Sequence, residues 1–346
     1  MPAPIGGGWL GADLAADPGS WRMTLPPAVR DDLIELATRR AGREPALGDD
    51  APKVCSATTE FVSRLRDKFM SGRYFVVVSG FPYEPFYLAR DAYWLLGLLL
   101  GEPVSQTPQT NLVGYLEDRT GNAEKRRWRG YESANSLPFH TDPADLITML
   151  SIRSAPVGGL SRLASTRAVH DLLAAEAPGH LAELYRPFPT DYRVVRNEAG
   201  QRQWTALPVF GFGPTGDFTT RYARWHMEAS QRHADAPRLT SRQRKALNAL
   251  DKILARPEVV LDVDLRPGDL QLFNNAEILH ARSAFAEAPE GTGRLMLRLW
   301  LSFAGSPELP EEYRELFGAT AGGSYRGGAW PPGGRPAWTG RPVAVR

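Results

Sequence analysis

A single cysteine, Cys55, stands among the 346 residues. No internal disulfide can form, and such sparse cysteine usage fits a reducing compartment. Long apolar runs are also missing: the most apolar stretch, residues 93–100, is far shorter than the roughly 20 residues a membrane-spanning helix needs. The opening Met1-Pro2-Ala3-Pro4-Ile5-Gly6-Gly7-Gly8 lacks the basic region and apolar stretch of a signal peptide. Cytoplasmic location, with no membrane partner, is the expectation. Nor does one sign of charge dominate, since 41 Lys and Arg face 39 Asp and Glu. The basic residues are scattered, which argues against a nucleic-acid partner. Their densest cluster, residues 125–129 around Trp128, reads as a solvated loop. There is no internal repeat, and nothing in the composition sets the oligomeric state.

What is present is an ordinary globular composition, 42% hydrophobic and 23% charged, in a chain long enough for a substantial core. Pro26-Pro27 opens an amphipathic helix with Leu33, Ile34, Leu36 and Ala37 on one side. Further helices are expected over about 58–70, 86–100 (stopped by Gly101), 167–184 and 241–256. Residues 74–78 read as a buried β-branched strand. Strands follow at about 112–116, 145–153, 160–165, 209–218, 259–265, 269–273, 281–285 and 294–303. Many strands with helical insertions, and no repeating βαβ pattern, predict a mainly β fold with flanking helices around a jelly-roll core. The expected organisation is a helical region packed on the core (1–70), a jelly-roll domain (71–305) and a Pro/Gly-rich tail (306–346), irregular and either disordered or draped over the body.

Phe139-His140-Thr141-Asp142 places an imidazole and a carboxylate two residues apart. On an extended segment such side chains leave the same face and converge on one point. A metal there needs a third ligand, and His280, following Phe273-Asn274-Asn275, is placed where a sheet edge opens. Two histidines and a carboxylate on one face form the triad of non-haem Fe(II) sites. The other histidines, His170, His180, His226 and His233, lie on helices or loops and read as packing or solvent residues. Asn274 or Asn275 is expected to orient His280.

The last strand alternates strictly: Leu295, Leu297, Leu299 and Leu301 on one face, Arg294, Met296, Arg298 and Trp300 on the other. A buried guanidinium without a partner costs several kcal/mol. Two inward arginines close to a metal histidine therefore imply one or two bound anions, since carboxylates bind arginine bidentately.

The segments 140–161 and 269–300 resemble the taurine dioxygenase and clavaminate synthase-like family of Fe(II)/2-oxoglutarate oxygenases, and the likeness extends over roughly 70–305. The resemblance implies that His140, Asp142 and His280 hold Fe(II), leaving positions for 2-oxoglutarate and O2. It implies that Arg294 clasps the distal carboxylate of 2-oxoglutarate. The hydroxyl that family members supply from a Gly-Gly-x-Thr segment falls here to Ser161, in Gly158-Gly159-Leu160-Ser161. Arg298 takes the place of an arginine that in several members binds the acidic group of the primary substrate. Halogenating relatives lack the carboxylate, so Asp142 points to oxygenation. Asn111, Tyr131 and Trp300 are expected to line the substrate pocket. The expected activity is oxidation of an unactivated C–H bond in a small, carboxylate-bearing, amino-acid-like molecule, with release of succinate and CO2. Two other readings use the same ligands: a metal-holding jelly-roll sensor without turnover, and a zinc hydrolase, which leaves Arg294 and Ser161 idle.

Overall fold

Period-two burial in the long strands divides the molecule into layers. In the computed structural model Leu295, Leu297, Leu299 and Leu301 join one apolar cluster, while Met296 and Trp300 join another. Residues 3–117, 134–192, 202–286 and 292–330 are described. The first part of the chain forms α1 (Gly11–Ala16), β1 (Arg22–Thr24), α2 (Pro27–Arg40), α3 (Ser56–Met70), β2 (Phe75–Ser79) and α4 (Phe86–Leu100). Short strands β3 (Glu102–Pro103) and β4 (Val113–Glu117) follow, then β5 (Leu137–His140), β6 (Leu146–Arg153) and β7 (Ser161–Ser165). Next come α5 (Thr166–Glu176), α6 (Pro178–Leu184) and two hairpins, β8 (Phe188–Asp191) with β9 (Trp204–Leu207) and β10 (Phe210–Phe212) with β11 (Phe218–Thr220). The described chain closes with α7 (Arg224–Ala229), α8 (Ser241–Leu254), β12 (Leu261–Val263), β13 (Leu270–Asn274), β14 (Ile278–Arg282), β15 (Leu295–Ser302) and α9 (Arg314–Phe317).

The larger sheet runs β1-β2-β13-β6-β15-β3, with β4 also on β15, and the smaller runs β12-β7-β14-β5. Their inner faces share a core containing Phe75, Val77, Ile147, Met149, Leu163, Val263, Phe273, Ile278 and Met296. Helices α2, α3 and α4 cover the outside of the larger sheet through Leu33, Phe61, Leu65 and Trp94 against Val76, Leu150, Leu272 and Leu297. Helices α5, α6 and α8 cover the smaller one through Val169, Leu181 and Leu250 against Ala164 and Leu279. Each such large apolar side chain contributes about 1.5–3 kcal/mol on burial. The result is a helix-flanked jelly roll.

Three expected elements differ. The helix over 167–184 is two helices, because Pro178 has no N–H to donate and disfavours helical backbone in the residue before it; Ala177 leaves the helical region at φ −147°. The extended stretch 209–218 folds back as β10 and β11 around Gly213-Pro214-Thr215-Gly216. The strand expected over 281–285 starts earlier, at Ile278. Asn274 closes the intervening turn, its Oδ1 accepting the Ala276 N–H at 3.0 Å, and the β7 ladder begins opposite Ser165. Residues 306–330 lie on the body, with Tyr313, Arg326 and Trp330 buried. Of the N-terminal 70 residues, β1 pairs in parallel with β2 and so extends the larger sheet.

Candidate active site

His140 and His280 are cross-strand partners on β5 and β14. Alternation turns Ile278, with His280 and Arg282 two and four residues on, to the inner face of the smaller sheet, and sends Leu279 and Ala281 out toward the helices. His280 therefore sits inside a strand, not at the sheet opening expected from its neighbours. Asp142 lies two residues past the end of β5, and its backbone needs a holder there. Asn275 is that holder. Its Oδ1 accepts the Asp142 N–H at 3.0 Å, and its Nδ2 donates to the carbonyls of Asp142 and Ala144. Among the described residues neither Asn274 nor Asn275 bonds to His280, which corrects the orienting role expected for them.

Ligand atoms of His140, Asp142 and His280 all lie within 4.8 Å of one another, and all three residues are buried. The Nε2 atoms of His140 and His280 stand 3.8 and 3.7 Å from the Asp142 oxygens. Nδ1 of His140 is 2.9 Å from the Pro138 carbonyl, which accepts its proton and leaves Nε2 bare for a metal. Burial, helped by the neighbouring His280, lowers the His140 pKa to about 3, so the imidazole is neutral. Burial would raise the Asp142 carboxyl, but Arg298 and the two imidazoles hold it below its ordinary value. Two imidazole nitrogens and an ionised carboxylate are the donor set that suits non-haem iron.

Arg298 and Trp300 both meet Asp142. The Arg298 Nη1 is 3.2 Å and the Trp300 Nε1 2.9 Å from Oδ2. Gln106 steers the arginine: its Oε1 accepts from Arg298 Nε at 2.8 Å, and its Nε2 donates to the Arg298 and Leu112 carbonyls. Nothing local in the sequence singles out Gln106, because its partner is 192 residues away. Arg221 escaped the sequence for the same reason. It is buried, and its Nη1 donates to the carbonyl and hydroxyl of Thr141. Asn111 has an exposed side chain, and its carbonyl accepts the Gln106 N–H at 2.9 Å. Tyr131 lies outside the described residues.

Arg294 precedes β15 and is buried, yet no acid pairs with it among the described residues. Among the described residues its hydrogen bond runs from Nη2 to the Met296 sulfur at 2.6 Å. Burial, then the nearby Arg282, brings its pKa down to about 9. The Ser161 hydroxyl is likewise buried without a partner among the described residues. Gly159 makes room: a Cβ there would come 3.2 Å from Arg294 Cδ, and its φ of +72° suits glycine. A buried guanidinium without an acid, and a buried hydroxyl without a partner, among the described residues are donors of the kind that suit an anion.

A model of the taurine catabolism dioxygenase TauD, TfdA family matches residues 35–300. The chain belongs to this family. FR-33289 synthase of Streptomyces rubellomurinus is 26% identical over 302 residues, which span 85% of this chain and 88% of that protein. Taurine hydroxylase-like protein SAT17 of Stachybotrys chartarum is 29% identical over 176 residues, 47% of this chain and 41% of its own length. Among solved structures, asparagine oxygenase in complex with Fe(II), 2S,3S-3-hydroxyasparagine and succinate superposes with a TM-score of 0.60 at 18% identity, covering 83% of this chain and 97% of that one. The non-haem iron oxygenase OrfP in complex with Fe and alpha-ketoglutaric acid gives 0.62 at 17% identity, with 87% and 98% covered. This TauD-family chain thus has the jelly roll of those oxygenases. No helix among its described residues is long and apolar enough to cross a membrane.

Proposed function

We propose that this chain is a non-haem Fe(II)/2-oxoglutarate-dependent dioxygenase that oxidises a C–H bond of a small, carboxylate-bearing, amino-acid-like substrate and releases succinate and CO2. The observation that carries the reading is the convergence of His140, Asp142 and His280 in a chain whose buried Arg294 has no acid, and whose buried Ser161 hydroxyl no partner, among the described residues. When bound at the triad, iron supplies the O2 activation that no side chain can provide. The chain contributes placement. The Pro138 carbonyl fixes the His140 tautomer, Asn275 fixes the Asp142 loop, and Arg294 with Ser161 receives the distal carboxylate of 2-oxoglutarate. Arg298 and Trp300 are the candidates for substrate contact, since both reach the Asp142 carboxylate.

The amino-acid class draws support from the neighbours, since asparagine oxygenase is described with hydroxyasparagine and OrfP with L-Arg. A cytoplasmic setting belongs to the same reading, supported by the single cysteine and by the need to keep iron ferrous. A zinc hydrolase would leave Arg294 and Ser161 without a task.

The test is reconstitution with Fe(II), ascorbate and 2-oxoglutarate in air, screening amino acids and their derivatives for substrate-dependent succinate. At least one amino-acid-like compound should raise succinate well above the uncoupled background. Tight iron binding with no 2-oxoglutarate binding and no succinate would defeat the proposal.

A further inference from the structure

Gln271 lies on β13, fully buried, and neither its Nε2 nor its Oε1 has a hydrogen-bond partner among the described residues. Its neighbours on the strand, Leu270 and Leu272, belong to the apolar cluster beneath helices α2, α3 and α4. Its ladder partners Val77 and Met149 belong to the cluster between the two sheets, as does Phe273. Alternation therefore aims the amide into the interior of the jelly roll.

An amide that bonds to nothing in an apolar interior is costly, and exchanging its two ends changes nothing because both are bare. Its register brings it close to the triad by two routes. Two residues along β13, on the same face, the Phe273 ring lies 4.8 Å from that of His280. Across the ladder, Met149 stands between Gln271 and Arg298, whose Nη1 is 3.2 Å from the Asp142 carboxylate. Gln271 thus shares a row of the larger sheet with a residue that touches the triad. Arg294 lies four residues back from Arg298, just before the start of β15.

We infer that Gln271 is a further binding residue for the cosubstrate: its amide N–H donates to the 2-oxo acid head of 2-oxoglutarate, while Arg294 and Ser161 receive the distal carboxylate. The inference rests on the 2-oxoglutarate reading and deepens it. The oxygens of a 2-oxo acid are acceptors only, so they suit the two hydrogens of Nε2, and a water entering with them can donate to Oε1. Until then the amide has nothing to bond, so its cost falls on the empty protein and is lifted by the ligand. Stability and cosubstrate binding are set against each other at this one residue.

The experiment compares the wild type with Gln271→Met, which keeps the unbranched shape and removes the amide; Gln271→Leu takes its place if that variant does not fold. Melting of the protein without metal or cosubstrate is measured first. Anaerobic binding of two probes to the iron-loaded protein follows, by the visible absorption of the iron chelate and with iron content determined on the same samples. The probes are 2-oxoglutarate and 2-oxobutanoate, which has the same head and no distal carboxylate. The empty variant should melt at or above the wild-type Tm, and both affinities should fall about tenfold, the usual worth of a charge-assisted hydrogen bond, with their ratio unchanged. Unchanged affinities overturn the inference and leave the amide to a buried water. A loss confined to 2-oxoglutarate overturns it too, as does an empty variant that melts below the wild type. A wild-type protein that binds neither probe would instead overturn the proposed function, so the two failures are distinguishable.

Discussion

Asn275 grips Asp142 from both sides of its backbone, accepting its N–H at 3.0 Å and donating to its carbonyl. Asp142, the proposed metal carboxylate, thereby depends on a residue from the β13–β14 turn, the same turn that launches His280. Asn275→Ala should keep the fold but loosen the ligand loop and lower metal affinity about 10–100-fold. Titration of the apoprotein with Co(II) or Fe(II) measures it, and unaltered affinity would remove Asn275 from the site.

Asp142→Ala leaves two imidazoles and no anionic ligand. Turnover should be abolished along with stoichiometric iron binding, read from iron content after desalting. Normal activity in this variant would end the triad assignment.

Arg294→Ala removes the guanidinium of the proposed 2-oxoglutarate site. The apparent KM for 2-oxoglutarate should rise about 10–100-fold, from the ~1.5–3 kcal/mol of a charged hydrogen bond, with far less change in the KM for the primary substrate. The reverse pattern would move Arg294 to the substrate side.

Arg298 pairs with the Asp142 carboxylate at 3.2 Å, both side chains being largely buried. Removing one partner of a buried pair costs about 3–5 kcal/mol, here borne by the metal-free protein, whose carboxylate loses its guanidinium and keeps the Trp300 N–H. An ion at the triad restores a counter-charge. Arg298→Leu should therefore lower the Tm of the apoprotein and enlarge the Tm gain on adding metal. A metal-dependent gain no larger than in the wild type would show that Arg298 does not hold Asp142.

Arg326, fully buried, ties the C-terminal segment to the same loop. Its Nε donates to Asp145 at 2.8 Å and its Nη2 to the Pro307 carbonyl, while the Gly328 N–H reaches the Pro143 carbonyl at 2.7 Å. Arg326→Met should destabilise the protein by several kcal/mol and reduce iron retention together, as seen in a melting curve and in metal content. Destabilisation with full iron retention would confine the segment to a role in stability.

Local patterns were the part of this molecule that could be read without coordinates. Helix α4 ends against Gly101, and the two leucine and arginine faces of β15 follow from its period alone. The triad was legible for the same reason, since His140 and Asp142 are close in the chain and His280 follows an apolar strand. What could not be read is what long-range pairing creates: Gln106 beneath Arg298, Arg221 behind Thr141, and Asn275 on Asp142 and not on His280. The break before Pro178 was visible in the residue itself, but the helical periodicity on either side ran across it.

Strand β5 has only four residues and is the outermost member of its sheet, yet it carries His140. An ion shared by His140 and His280, as proposed, would fasten this rim to its neighbour, as a covalent bridge does in secreted proteins. In a chain with one thiol, the metal would then also be a reversible staple. Amide exchange at 137–140 should report its arrival before any product is made.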